Sequence, residues 1–281
     1  GMTGAVPVAM LAGNGAAAPG AYLAVGLALL LFSVGYAAMA NRVTNTGAFF
    51  AFVGRGLGTK AGVASAFASI VGYVTIQLAI YGFFGGLLSI TLPETLPWYG
   101  WSILAWVVVT GLSLLSVDIG AKVLGVLMIA ELTSLVVTAV AILANGGPEG
   151  LNFDASFNPA NIFAGGFNGG AGIAIAFAFA SFIGFEATAI YGEESKDPKR
   201  SVPRATYWAI GIITVLFALT SFAMVTGMGA SKIFDEVATR STVGDMVLAD
   251  PAAVLFSLAD QYVGSWIVQI MGWLVISSLF A

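Results

Sequence analysis

The sequence predicts an all-helical protein embedded in a membrane, and three observations carry that prediction. Apolar residues make up 59% of the chain and charged residues only 9%. With a mean hydropathy of +0.96, this lies well outside the composition of soluble globular domains. Apolar runs of about 20 residues, the length that crosses a bilayer core, recur between short polar breaks. The basic residues are also sorted by side: eight of the ten sit in alternate loops. Such loops face the cytoplasm by the positive-inside rule.

The chain has no cysteine and no histidine. That removes disulfides, thiol chemistry, imidazole metal sites and histidine proton relays. Any proton carrier must be a carboxylate, a lysine or a tyrosine.

Taken in order, Gly1–Asn14 is too short to span alone. Gly1, Gly4 and Pro7 suggest an unwound centre followed by a half-helix. Ala21–Ala40 reads as a clean spanning helix. Asn41–Lys60, carrying Arg42, Arg55 and Lys60, reads as a loop with an amphipathic stretch lying at the interface. Ala61–Thr91 is the third span, and Pro93–Pro97 a turn. Trp98–Leu115 is the fourth, with Trp98, Tyr99 and Trp101 as an interfacial belt. Ser116–Gly120 turns the chain into a fifth span, Ala121–Ala144. A Gly/Pro/Asn-rich external loop runs to Ala164. The sixth span begins near Gly166 and meets Ser181-Phe182-Ile183-Gly184-Phe185-Glu186 in mid-run. A glycine beside a carboxylate at membrane depth points to a broken helix, tolerated only where freed backbone lines a cavity. A basic loop, Lys196–Arg204, follows. Thr206–Thr226 is the seventh span, Ser231–Asp260 a polar, acidic external segment, and an eighth helix begins near Tyr262.

The stretch GFEATAIYGEESKDPKRSVPRA, Gly184–Ala205, resembles the signature that amino acid permeases of the amino acid–polyamine–organocation (APC) family carry at membrane helix 6 and its cytoplasmic loop. The matching residues are Gly184, Glu186, Glu193 or Glu194, Pro198, Lys199, Arg200, Pro203 and Arg204. The resemblance implies a leucine-transporter-like bundle, an inverted repeat of five plus five helices with discontinuous helices 1 and 6. Residues 1–281 then form a single transmembrane domain, from the second half of helix 1 through part of helix 8, with the remaining C-terminal helices absent. Two departures stand out. The family's Gly-Gly-x-Tyr after helix 2 appears as Gly47-Ala48-Phe49-Phe50. Ala180 stands where some relatives place a bulky lid aromatic, which leaves Phe179, Phe182 or Phe185 for that role.

Site residues follow from the break and from the resemblance together. Where a helix stops inside a membrane, its last carbonyls and the next N–H groups lack partners. In the family, backbone at the breaks of helices 1 and 6 holds an amino acid. Carried over, Met2, Thr3 and Gly4 offer N–H groups to its carboxylate. The carbonyls of Ser181 and Ile183 accept from its ammonium, with Phe182, Gly184 and Phe185 completing the segment. The plainer reading of Gly184 is close helix packing. Glu186 belongs to the pathway and gate, or else ties one helix to another's backbone. Glu131, in a stretch GAKVLGVLMIAEL that resembles the family's helix 5, stands where several proton-coupled relatives carry Lys. A carboxylate away from water is suited to take up a proton, and the alternative is a permanently protonated structural acid. Ser69, Tyr73, Gln77 and Tyr81 form a polar stripe at steps of four, facing the substrate or binding helices together. Ser277 and Ser278 fall where sodium-coupled cousins place hydroxyl ligands, although membrane serines more often bond back to their own helix.

The expected function is secondary active transport of an amino acid or related small amine. The proton is the favoured coupling ion, and no other cofactor is called for. Sodium coupling, exchange, and a non-transporting scaffold or sensor are the alternatives. With no metal-ligand cluster and no activated nucleophile visible, an enzyme is not expected. The partners are a small-molecule amino acid and the lipid bilayer, with no nucleic acid. The expected location is the plasma (inner) membrane, as a multi-pass protein.

Overall fold

The computed structural model describes residues 2–43, 47–92, 95–114, 120–190 and 197–279. These residues are helical almost throughout, and an isolated bridge between Val243 and Met246 is the sole strand-like pairing among them. By length and composition, four stretches can cross a membrane: Met2–Ala40, Thr59–Thr91, Gly125–Asn145 and Lys199–Met228. The protein is therefore a multi-pass membrane protein.

The first stretch is not uniform. Helix α1 (Met2–Val8) passes into a π-helical segment, Ala9–Asn14, then a 3-10 turn, Gly15–Ala17, then α2 (Ala18–Ala40). The unwound backbone expected around Gly4 and Pro7 is helical from Met2 onward, and the irregular geometry lies further along. Gly13 (φ −106°, ψ −124°) and Gly15 (φ 58°, ψ −122°) flank Asn14 there. Gly15 needs its positive φ, and a Cβ on it would stand 2.7 Å from the Phe234 ring. Asn14 then donates from Nδ2 to the Ile162 carbonyl at 3.1 Å. Long-range packing has moved the break past the position that local sequence favours.

Helix α3 (Ala48–Leu57) is the amphipathic stretch, followed by α4 (Thr59–Thr91) and α5 (Trp98–Leu114). Phe67, Ile70, Val71, Val74 and Leu78 on α4 are exposed apolar side chains, which suits hydrocarbon rather than water. The turn read at Ser116–Gly120 lies outside the described residues except for Gly120, where α6 (Gly120–Asn145) begins.

The loop expected to run to Ala164 contains two short helices, α7 (Phe153–Phe157) and α8 (Pro159–Ile162). Each is started by an Asn side chain accepting a backbone N–H, Asn152 from Ala155 and Asn158 from Ala160, both at 3.0 Å. Phe153 and Phe157 pack on Phe222, at ring separations of 4.8 and 5.2 Å. The sixth span is α9 (Gly170–Ser181), a turn over 182–186, and α10 (Ala187–Ile190).

Helix α11 (Pro198–Met228) starts inside the segment expected to be a basic loop. The reason is local: Pro198 takes the first helical position, where a missing N–H costs nothing. Ser201 also bonds the Asp197 carbonyl through both its N–H and its hydroxyl, at 2.9 and 2.7 Å. Lys199, Arg200 and Arg204 therefore lie on the first turns of α11. Glu193, Glu194 and Lys196 lie outside the described residues.

The polar segment Ser231–Asp260 is a second correction. It holds α12 (Ile233–Ser241) and most of α13 (Ala252–Tyr262), and the eighth span, α14, runs from Ser265 to Ser278. Val254, Leu255, Leu258 and Ala259 of α13 are buried in the main core. Charges at Asp235, Glu236, Arg240, Asp245, Asp250 and Asp260 obscured an apolar face at helical spacing. Arg240 fixes α12 to α13 by donating to Glu236 (2.9 Å), Ser257 (2.9 Å) and Gln261 (3.2 Å). On the same side, Glu149 accepts from the Ser231 amide and hydroxyl, which holds its exposed carboxyl below the usual carboxylate range.

The core is built by α1, α2, α6, α9, α11 and α13. Tyr22, Phe182 and Phe217 stack at its centre, Tyr22 on Phe217 at 4.9 Å and Phe182 on Phe217 at 6.3 Å. Lipid tails are as apolar as leucine, so close packing rather than the hydrophobic effect holds such helices together. Gly26 of α2 provides that contact against Thr214 of α11.

Candidate functional site

Helical geometry stops after Ser181 and resumes at Ala187, and Glu186 organises the turn between. Its Oε2 accepts from the Gly184 N–H at 2.9 Å, closing the turn on itself. Its Oε1 accepts from the Tyr73 hydroxyl of α4 at 2.6 Å, and its backbone carbonyl from the Tyr36 hydroxyl of α2 at 3.0 Å. With 5% of its surface exposed, Glu186 is a buried carboxylate joining three elements. A buried carboxyl must be hydrogen-bonded to be tolerated, and this one is.

Gly184 sits at φ 108°, and a Cβ on it would meet no atom within 4 Å. Among the described residues, the packing reading of this glycine therefore has no neighbour to support it. Its role is conformational, because an L side chain at that φ is strained even where there is room for it. Among the described residues, no hydrogen bond ends on the backbone carbonyls of Ser181 or Ile183. Ser181 turns its hydroxyl back to the Phe177 carbonyl at 2.8 Å.

Beside this turn lies a cavity of about 170 Å³ lined by Phe49, Ser69, Gly72, Tyr73, Ile183 and Glu186. Roughly 300–1,000 Å³ is usual for a drug-sized ligand, so this pocket suits a solute of few heavy atoms. The polar stripe on α4 divides here. Ser69 and Tyr73 face the cavity, whereas Gln77 is exposed and outside it. Phe182 is buried against Phe217, and Phe185 packs with Phe32, Tyr36 and Phe49 below the turn. Phe179, the third candidate for the missing lid, is exposed.

Met2, Thr3 and Gly4 do not line this cavity. Met2 and Thr3 are buried, the Met2 sulfur accepts from Thr220 at 3.6 Å, and a Cβ on Gly4 would stand 3.2 Å from the Phe83 ring. Three lining or supporting residues, Tyr36, Phe49 and Gly72, escaped the sequence reading as site residues. Tyr36 carried a usable signal, since a tyrosine inside an apolar helix needs a partner for its hydroxyl. Phe49 had none beyond its place in the amphipathic stretch.

The second carboxylate lies elsewhere in the molecule. Glu131 is half-buried on α6, and its side chain faces Ser278 of α14. Ser134 donates to the Glu131 backbone carbonyl at 2.7 Å. Ser277 and Ser278 donate back to Leu274 and Val275, at 2.8 and 3.0 Å, leaving their oxygen lone pairs. Thr138 reaches the Met271 sulfur at 3.6 Å and ties the same two helices. Among the described residues, no group of three or more His, Cys, Asp or Glu side chains could hold a metal ion.

A second cavity, about 570 Å³, opens among the ends of α6, α11, α12 and α13, and Lys232, Glu236 and Arg240 are among its lining. Arg240 is already committed to three protein partners there, so the cavity is a packing seam between polar helix ends.

Comparison with known proteins supplies the context for this geometry. Residues 2–278 match the family described as "Amino acid permease". Among individual proteins, the b(0,+)-type amino acid transporter 1 of Homo sapiens is 28% identical over 163 residues, 56% of this chain and 29% of that protein. Its Oryctolagus cuniculus counterpart is 25% identical over 169 residues, 59% of this chain and 31% of its own length. Amino-acid permease GAP5 of Candida albicans is 27% identical over 133 residues, 45% of this chain and 21% of that protein. Each of these matches covers less than a third of the relative's length.

Proposed function

The chain belongs to the amino acid permease family, and on that basis we propose that it moves an amino acid, or a related small amine, across a membrane by secondary active transport coupled to protons. It is a transporter by family, not an enzyme. The observation that carries the substrate reading is the turn after Ser181. Among the described residues, it leaves two backbone carbonyls without donors, beside a small cavity bounded by a buried carboxylate. Carbonyls at a broken helix are natural acceptors for an ammonium group. In this reading Ser181 and Ile183 hold the substrate amine and Tyr73 and Glu186 wall the pocket, while Met2, Thr3 and Gly4, which lie outside it, take no part in holding the carboxylate. The finer architecture, an inverted repeat with discontinuous helices 1 and 6, belongs to the same proposal.

Glu131 is the residue assigned to coupling, since it can change protonation without dismantling the turn. Its contact with Ser278 also supports a second reading. A carboxylate and adjacent hydroxyls are hard oxygen donors, so sodium is the alternative ion there.

The test is uptake of radiolabelled amino acids by the purified protein in liposomes. Accumulation driven by an inward proton gradient, without sodium, is the expected result. A strict sodium requirement would transfer the coupling role to the Glu131–Ser278 pair as a cation site. Binding without any movement of solute would sink transport and leave a permease-like scaffold.

A further inference from the structure

The longest basic stretch without acidic relief lies far from the outer helix ends. The first 93 residues contain Arg42, Arg55 and Lys60 and no Asp or Glu at all. All three cations are exposed, and none forms an ion pair among the described residues. They cluster around α3, and α3 leaves a groove of about 490 Å³ against the start of α4. Its floor is apolar, with Phe50, Ala51, Val63 and Ala66. Its mouth carries the polar groups of Arg55 and Thr59.

Helix α3 has two working faces. Phe49 and Phe52 turn inward and pack on Tyr36, at ring separations of 5.2 and 5.4 Å. Phe49 also lines the Glu186 cavity. Phe50, Ala51 and Arg55 turn to the groove. At ten residues, α3 is shorter than the ~12–15 that an isolated helix needs, so it depends on what packs around it. Its contact with α4 is glycine on glycine, since a Cβ on Gly62 would stand 2.7 Å from the Gly54 Cα. That crossing cannot fill the space on either side of it.

We propose that this groove is a binding site for an anionic phospholipid of the leaflet on the basic side of the protein. One acyl chain lies over Phe50, Ala51, Val63 and Ala66, and the phosphate sits on Arg55 at the mouth. An apolar channel ending in a cation without an ion pair among the described residues, at the edge of the bilayer, complements that one class of molecule in both shape and charge. A free anion would have no use for the floor, and a zwitterionic lipid would answer the floor but less of the charge. Because the same short helix presents Phe49 to the Glu186 cavity, the bound lipid also sets how firmly that cavity is closed from below.

The test measures lipid retention directly and does not depend on transport. The full chain, purified in detergent, is mixed with equal amounts of phosphatidylglycerol and phosphatidylcholine and followed by native mass spectrometry. Wild type should keep one phosphatidylglycerol preferentially. Arg55→Gln should reduce that preference about fivefold, the equivalent of ~1 kcal/mol for one basic group at a membrane surface, while Arg55→Lys retains most of it. Ala66→Leu should weaken retention of both lipids by shortening the channel, with thermal unfolding followed to confirm an intact fold. Equal retention of the two lipids by wild type, or no change in Arg55→Gln, overturns the proposal. So does displacement of the lipid by millimolar inorganic phosphate, which would make the site an anion site, or a dimer that buries the groove.

Discussion

The two membrane-depth carboxylates differ in how many of their acceptor positions the protein has already used. Glu186 has donors on both oxygens and a third on its own carbonyl, from Gly184, Tyr73 and Tyr36. Glu131 meets a single protein hydroxyl among the described residues, that of Ser278, which it shares with the Val275 carbonyl. The first is a fastener joining α2, α4 and the turn after α9. The second keeps spare capacity between α6 and α14. Depth in a membrane therefore does not assign a role by itself. The surrounding donors decide whether a carboxylate is spent on architecture or left free to exchange a proton or an ion.

The largest effect expected from breaking this contrast is at Gly184, which supplies one of the three donors. Gly184→Leu should abolish amino acid binding in an inserted, folded protein, read by equilibrium binding of a labelled amino acid. The cause is backbone strain at φ 108°, of order 1–3 kcal/mol, and not lack of space. Gly184→Ala should therefore fail nearly as badly. An Ala variant that binds normally, with Leu inactive, would restore close packing as the reason for this glycine.

Next in size is Glu131→Gln. It should preserve substrate binding and exchange but lose uphill uptake under a pH gradient, and flatten the pH dependence of transport. Continued concentration of substrate by the Gln variant under a proton gradient would make Glu131 structural, and the contrast would collapse.

The smallest effect is expected at Tyr73→Phe. It removes one hydrogen bond to a charged acceptor, worth about 1.5–3 kcal/mol when buried, and less here because Tyr73 is partly exposed. Affinity should fall by roughly tenfold with coupling intact, measured as KM and as substrate accumulated per imposed proton gradient. A change in coupling rather than in KM would mean that Glu186, not Glu131, carries the ion.

The fold was legible where a single physical rule acts locally. Apolar length placed the spans at α2, α4, α5 and α6 within a few residues, and the C-terminal end of α11 as closely. The break after Ser181 was visible because a glutamate inside an apolar run must find partners, and the glycine beside it frees the backbone to turn. The errors share a cause. At α13 the apolar spacing was present but masked by flanking charges, and its burial depends on α1, α6 and α14 being nearby. At the start of α11, the basic residues of Lys196–Arg204 were read as a loop although Pro198 occupies a helix's first position. At Gly13–Gly15 the irregular backbone is fixed by Phe234, Ala174 and Ile162, residues about 150 or more positions away in the chain.

Composition, run length and glycine's backbone freedom were enough to establish that the chain is helical, lies in a membrane and carries an ionisable group at a helix break. Each of these is a property of a single stretch of sequence. The partners that complete the site belong to three-dimensional packing instead. Tyr36 and Tyr73 reach Glu186 from 150 and 113 residues away, and Ser278 meets Glu131 from a helix at the other end of the chain. The physical reason is that a hydrogen bond depends on distance in space to within a few tenths of an ångström, and spacing along a chain constrains that distance only within one helix.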